Sequence, residues 1–233
     1  MKYFFTFFLY FLQQAAAEAQ APRKLDYVID SLIFSTRFKE GYDSSIWQAE
    51  IAPLPYSSVY VKDGQLVLDT RGGVTVWLKQ LLTGNILIEY KRKVLMDTGR
   101  NDRLSDLNNF WMATDPHKTD FFTRHGVLEE YDSLQLYYVG MGGNSNRTTR
   151  FRKYTGNGEL PLLQEYTDSV HLLQPNREYN IRIIVKDGTT QFLADDMLYF
   201  SYTDPKPLTK GYFGFRATKS RQMIDEVRVY GIK

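Results

Sequence analysis

Apolar residues recur at every second position through much of this chain, and nowhere do they hold the three-and-four spacing of a sustained helix. Ile86, Ile88 and Tyr90 share one face of a run whose other face carries Glu89 and Lys91. Ile181, Ile183 and Val185 alternate in the same way with Arg182, Ile184 and Lys186. The pattern predicts strands at 59–61, 65–68, 74–79, 85–94, 109–113, 133–140, 148–154, 179–186, 190–194, 212–217 and 223–230. Asp63-Gly64 and Asp187-Gly188 sit between strand pairs and read as tight hairpin turns. So many short strands, with no helices between them, predict an all-β chain of two packed antiparallel sheets.

The first residues stand apart from this pattern. Lys2 precedes an apolar run over 3–12 and then small residues ending Ala17-Glu18-Ala19. That is the layout of a secretory signal peptide, so residues 1–19 are expected to be removed near Ala19 and 20–233 to form a single domain, secreted or periplasmic. The run is too short for a membrane span. With no cysteine in the chain, neither disulfides nor thiolate metal sites are available. A net charge of +2 gives no general reason to expect nucleic acid, so an anionic ligand would need a local cationic patch. A monomer is expected.

Candidate chemistry gathers in two stretches. Residues 99–116 place Arg100, Asn101, Asp102, Arg103, Asp106 and Asn108 just ahead of Trp111. A solvated loop has this composition; so does a site where Arg and Asn hold a carboxylate beside an indole sugar platform. In 131–154, Gln135, Tyr137 and Val139 share one strand face, and Thr148, Arg150, Arg152 and Tyr154 share another. The Gly- and Asn-rich segment 140–146 between them predicts a hairpin with a long tip. Trp77 and Lys79 also fall on one face, as a ring and a cation. His117, His125 and His171 lack metal-ligand spacing, and no nucleophile elbow or phosphate loop is present, so neither a metal nor a cofactor is expected.

The segments 63–68, 74–79, 101–116, 131–153 and Gly211 to Arg216 with Ile224-Asp225 resemble an uncharacterised-domain family of polysaccharide utilisation loci, related in fold to YesU-like proteins and keto-disaccharide hydrolase domains. The resemblance implies a concanavalin A-like jelly-roll sandwich of two curved antiparallel sheets with a concave carbohydrate face. Some members are similar to enzymes that remove water from the non-reducing end of oligosaccharides of ulvan, a sulfated rhamnose and uronate polymer. The implied partner is an acidic oligosaccharide or polysaccharide.

Three functions remain open on the residues themselves. Retaining hydrolysis on this fold uses a strand of the form E-x-D-x-x-E; Glu130-Tyr131-Asp132-Ser133-Leu134-Gln135 approaches it but ends in an amide, so the carboxyl pair is broken. Elimination at C4 of a uronate, by a dehydratase or a lyase, needs a cation or amide on the carboxylate, a base for the C5 proton and an acid for the departing oxygen. On that reading Tyr137 and His125 transfer protons, and Arg150 and Asn108 hold the carboxylate. Trp77, Lys79, Arg103, Asp106, Trp111, Gln135 and Arg152 then position the sugar. A sugar-binding module without catalysis is the third reading.

Overall fold

The computed structural model describes residues 23–233; the expected signal peptide lies outside them. The described residues form thirteen strands in two antiparallel layers: β1 (Ile29–Thr36), β2 (Trp47–Ile51), β3 (Ser58–Lys62), β4 (Gln65–Thr83), β5 (Ile86–Val94), β6 (Leu107–Thr114), β7 (Gln135–Gly142), β8 (Thr148–Thr155), β9 (Leu162–Tyr166), β10 (Glu178–Lys186), β11 (Thr189–Ala194), β12 (Met197–Thr203) and β13 (Lys210–Ile232). The first sheet runs β12-β11-β10-β5 onto the C-terminal half of β13, which also pairs with β1 and the start of β4. The second runs β9-β8-β7-β6 onto the N-terminal half of β13, then the end of β4 and β2. β4 and β13 therefore pass through both sheets. Their shared bend falls where the register shifts between Thr218 and Ser220 and Lys219 takes a left-handed φ of 45°.

Both predicted hairpins form. Asp63 and Gly64 have φ of 53° and 71°, Asp187 and Gly188 of 48° and 79°, the two positive values that a type I′ turn demands. The β7–β8 connection differs from expectation. β7 runs on to Gly142, so the long tip at 140–146 shrinks to a short turn at 143–147 in which Asn144 and Ser145 are left-handed.

The core lies between the layers. Val76, Leu78, Trp111, Tyr137, Val139, Phe151, Phe213 and Phe215 come from the second sheet, and Ile88, Ile181, Ile183, Phe192 and Val229 from the first, all buried. Burial of each large apolar side chain favours folding by about 1.5–3 kcal/mol, an upper range because unfolded chains already bury some surface. The outer face of the second sheet carries its own apolar cluster of Trp77, Phe110, Tyr131, Leu134, Leu136 and Tyr154. That cluster exists because the 115–134 segment folds back over the sheet. Among the described residues no helix is long and apolar enough to cross a membrane.

Candidate functional site

Period-two geometry places Asn108 and Phe110 of β6, Tyr138 and Gly140 of β7, Arg152 and Tyr154 of β8, Gly214 and Arg216 of β13, Thr75 and Trp77 of β4 and Glu50 of β2 on the outer face of the second sheet. One end of this face is apolar and roofed. Trp77 stacks on Phe110 at 5.6 Å, meets Phe121 edge-on at 4.9 Å and donates its indole N–H to Glu50 Oε2 at 2.8 Å. Tyr131 donates to the same oxygen at 2.7 Å, and the Arg124 backbone N–H donates to Glu50 Oε1 at 3.0 Å. One buried carboxylate thus fastens the 115–134 segment to the sheet, and burial holds it above the usual carboxylate range.

The polar end centres on Arg216, which has no solvent exposure. Its Nη1 donates to Thr75 Oγ1 and to the Gly126 carbonyl, both at 3.0 Å, and its Cζ lies 5.0 Å from the Tyr131 ring centre. Nε and Nη2 have no partner among the described residues. Those two groups form the side-on edge of a guanidinium, the edge on which a carboxylate accepts two parallel hydrogen bonds. Asn108, paired across the ladder with Arg216, leaves its own buried Oδ1 unpartnered. Unmatched buried polar groups are rare and costly, and here two of them stand on paired residues of neighbouring strands.

Titratable groups lie on the same face. A methyl group at Gly140 would stand 2.1 Å from the Tyr138 hydroxyl and 3.0 Å from Asn108 Oδ1, so both oxygens fill space that only glycine leaves open. Burial pushes the Tyr138 phenol up, with Tyr154 and Asp106 adding to the shift and Arg216 and Arg152 opposing it. Tyr154 is pushed up to about 12 by burial. Burial also raises Asp106 against the pull of Arg103 and Arg216, and raises Asp132, there helped by Glu129. Asp106 holds a left-handed φ of 62°, a conformation that costs energy for a residue with a side chain.

The residues singled out from sequence divide clearly. Asn108, Asp106 and Arg152 lie at this face; the Arg152 Nη1 donates to the Leu160 carbonyl at 2.5 Å. Arg103 forms an ion pair with Asp106 and donates to the Lys219 and Thr218 carbonyls at 2.9 and 2.8 Å, tying Asp106 to the β13 bend. Arg150 points the same way but is paired with Glu165 across β8 and β9, so its charge is already matched. Gln135 donates to the Thr155 carbonyl at 3.3 Å. Lys79 is exposed beyond Trp77 and donates to the Ser44 carbonyl at 3.1 Å, away from Arg216. The His125 ring is 74% exposed and sits 3.1 Å from Glu130, on the covering segment.

Three expectations are corrected. Trp111 points into the core, stacked on Phe151 at 5.8 Å with its N–H on Thr190 Oγ1 at 2.9 Å; with no exposed face it offers no sugar platform. Trp77 is on the outer face but wholly buried beneath the covering segment, so it also lacks a free ring face. Tyr137 points inward: its hydroxyl donates to Asp204 Oδ2 at 2.5 Å and accepts from the Leu208 N–H at 3.1 Å, while Lys153 reaches Asp204 at 2.6 Å. It clamps the 204–208 loop instead of facing a ligand, and its neighbour Tyr138 takes the outer position. In a fourth correction, Glu130 to Leu134 form no strand, and β7 starts only at Gln135. The stretch begins in a 3-10 turn, Leu128–Tyr131, with Glu130 tied to His125.

Comparison with solved structures defines the class as the jelly-roll sandwich shared by lectin-like modules and glucanases. A protein of unknown function with a galectin-like fold from Bacillus subtilis superposes with a TM-score of 0.72 at 16% identity, over 89% of this chain and 99% of that one. The carbohydrate-binding module CBM66 from Bacillus subtilis gives 0.56 at 11%, over 79% and 95%. The endo-beta-1,3-glucanase of Pyrococcus furiosus gives 0.60 at 12%, over 87% and 94%. The chain itself belongs to the family described as a domain of unknown function, DUF6250, whose profile matches residues 68–227. No curated protein matches it in sequence.

Proposed function

We propose that this protein acts on an acidic glycan, eliminating water or a sugar from C4 of a uronic-acid residue. The observation that carries the reading is the free Nε and Nη2 edge of Arg216, sealed from water and unmatched by a carboxylate, while Asn108, its partner across the β6–β13 ladder, also leaves a bare Oδ1. A uronate carboxylate satisfies that edge with two charge-assisted hydrogen bonds. Neutralising the carboxylate makes the adjacent C5 proton more acidic and stabilises the enolate-like intermediate. Asp106, the carboxylate raised by burial at this point, takes the C5 proton. The electron pair forms the C4=C5 double bond, the C4–O bond breaks, and Tyr138, a phenol protonated at neutral pH, gives its proton to the departing oxygen.

Because the Gly126 carbonyl and the Tyr131 ring close over Arg216, substrate reaches it only when the 115–134 segment shifts off the sheet; Asp132, Tyr138 and Arg152 are half-buried on the same face. Arg152 and the Arg150–Glu165 pair then border the sugar chain. The likeness to a carbohydrate-binding module and a glucanase supports a glycan ligand, within the limit that one fold hosts many functions. Resemblance to ulvan-oligosaccharide dehydratases supports water as the group lost. The protein is proposed to work outside the cytoplasm as a monomer, after removal of residues 1–19.

Incubation with uronate oligosaccharides, including those from ulvan, tests this by product mass and ultraviolet absorbance of the unsaturated uronate. A product lighter by one water, or fragments with one unsaturated end, supports elimination. Saturated fragments that have gained water mean hydrolysis, and binding with no product means a sugar-binding module; either overturns the proposal.

A further inference from the structure

Behind the candidate site, reaching across from the first sheet to the interior side of the second, lies another fully buried guanidinium, with no ion pair among the described residues. Arg92 of β5 makes four hydrogen bonds, every one to a neutral acceptor: Nε to Gln222 Oε1 at 2.7 Å, Nη1 to the Asn108 carbonyl at 2.8 Å and to Asn109 Oδ1 at 3.1 Å, and Nη2 to the Arg216 carbonyl at 2.8 Å. Gln222 in turn donates from Nε2 to the Asp106 carbonyl at 2.9 Å. The β6–β13 ladder ends at the Asn108–Arg216 pair. Where sheet hydrogen bonding stops, Arg92 and Gln222 take over the main-chain oxygens of the three residues whose side chains meet on the far face.

A buried charge with no counter-ion is expensive, and apolar residues of similar volume commonly replace such groups without loss of stability. Stability alone is therefore a poor reason for an arginine here. The planar fork of arginine, by contrast, suits the task of spanning two carbonyls at fixed separation. Burial lowers Arg92 to about 10, still above neutral pH, so the group remains charged. The two guanidiniums, one on each face of the β6–β13 end, repel unless an anion joins them.

We propose that Arg92 is a positioning residue of the outer-face site, fixing Asn108, Arg216 and, through Gln222, Asp106, and adding a second positive charge behind an anionic sugar. The inference rests on the reading of that face as an acidic-sugar site. Arg92 touches no substrate. It sets the direction of the Arg216 fork and biases the site toward carboxylate over neutral ligands.

Sodium glucuronate is titrated into the full protein while the Arg216 Nε–H resonance is followed by nitrogen–proton NMR, with glucose as the neutral control. Wild type is expected to respond to glucuronate alone, and Arg216→Met to lose binding. Arg92→Met and Arg92→Lys, each checked for native circular dichroism, are expected to raise the glucuronate Kd about tenfold or more, since lysine keeps the charge but cannot fork between two carbonyls. If either folded Arg92 variant binds as wild type does, the role of Arg92 is overturned while the site reading stands. Should Arg92→Met fail to fold, Arg92→Lys decides alone. A wild-type resonance that glucuronate leaves unmoved overturns the site reading and this inference with it.

Discussion

Replacing Tyr138 with phenylalanine removes one oxygen from the outer face and leaves the ring packed 5.6 Å from Phe110 and 5.9 Å from Tyr154. Stability should therefore change by no more than about 0.5 kcal/mol, as for substitutions that break no buried interaction. If the hydroxyl is the acid of the elimination, turnover should fall by a factor of about 10² or more. Tyr137→Phe is the internal control. Its hydroxyl donates to the buried Asp204 carboxylate and accepts from Leu208 N–H, so its loss removes one charge-assisted and one neutral bond. At about 1.5–3 and 0.5–1.5 kcal/mol respectively, the cost is roughly 2–4.5 kcal/mol. For a domain of this size that lowers Tm by about 4–18 °C. Turnover per folded molecule should stay near wild type. Melting followed by circular dichroism and the initial rate of unsaturated-product formation give both quantities on each variant. A fully active Tyr138→Phe protein, or a slow Tyr137→Phe protein with wild-type Tm, would refute the assignment of the two faces.

Asp106→Asn should abolish turnover. In wild type the base must be ionised and burial raises its pKa, so kcat/KM should fall with decreasing pH through a value above the ordinary carboxylate range; a pH–rate profile checks this. Gly140→Ala should push the Tyr138 hydroxyl and Asn108 Oδ1 aside at little cost in Tm, because a tyrosine tip can swing, while lowering turnover, as paired melting and rate measurements would reveal. Affinity for a uronate oligosaccharide should weaken with added salt more than that of its carboxyl-reduced analogue, since Arg152 and Arg216 border the site; calorimetry at two ionic strengths measures the difference.

Much of the sandwich is legible in the period of the chain, because a half-buried strand must alternate and the Asp-Gly pairs must turn. What escaped the pattern has physical causes. The segments 65–68 and 74–79 read as separate strands, yet Gly72 and Gly73 only bend β4; β13 likewise bends at Lys219 without ending. Strand β2 was missed although Trp47, Ala49 and Ile51 alternate with Gln48 and Glu50, since a buried glutamate looks like a solvent residue until the segment that covers it is known. Asn108, Asp106 and Arg152, singled out by polarity and spacing, do fall on the outer face that carries the proposed site. The choice between Tyr137 and Tyr138 was not: parity fixes which residues share a face but not which face looks outward, and a slip of one reverses every side chain. Arg216 carried a usable signal. Phe213 and Phe215 belong inward, which turns Gly214 and Arg216 outward on the same strand. The tryptophans misled because an indole serves a core as well as it serves a sugar.

The most direct test of the central claim is a crystal structure with a bound uronate oligosaccharide. The account predicts its carboxylate oxygens about 2.7–2.9 Å from Arg216 Nε and Nη2, the distance of charge-assisted pairs, with the Tyr138 hydroxyl facing O4. A sugar seated elsewhere, or a carboxylate held by Arg150 or Arg152 while the Arg216 edge stays bare, would contradict it.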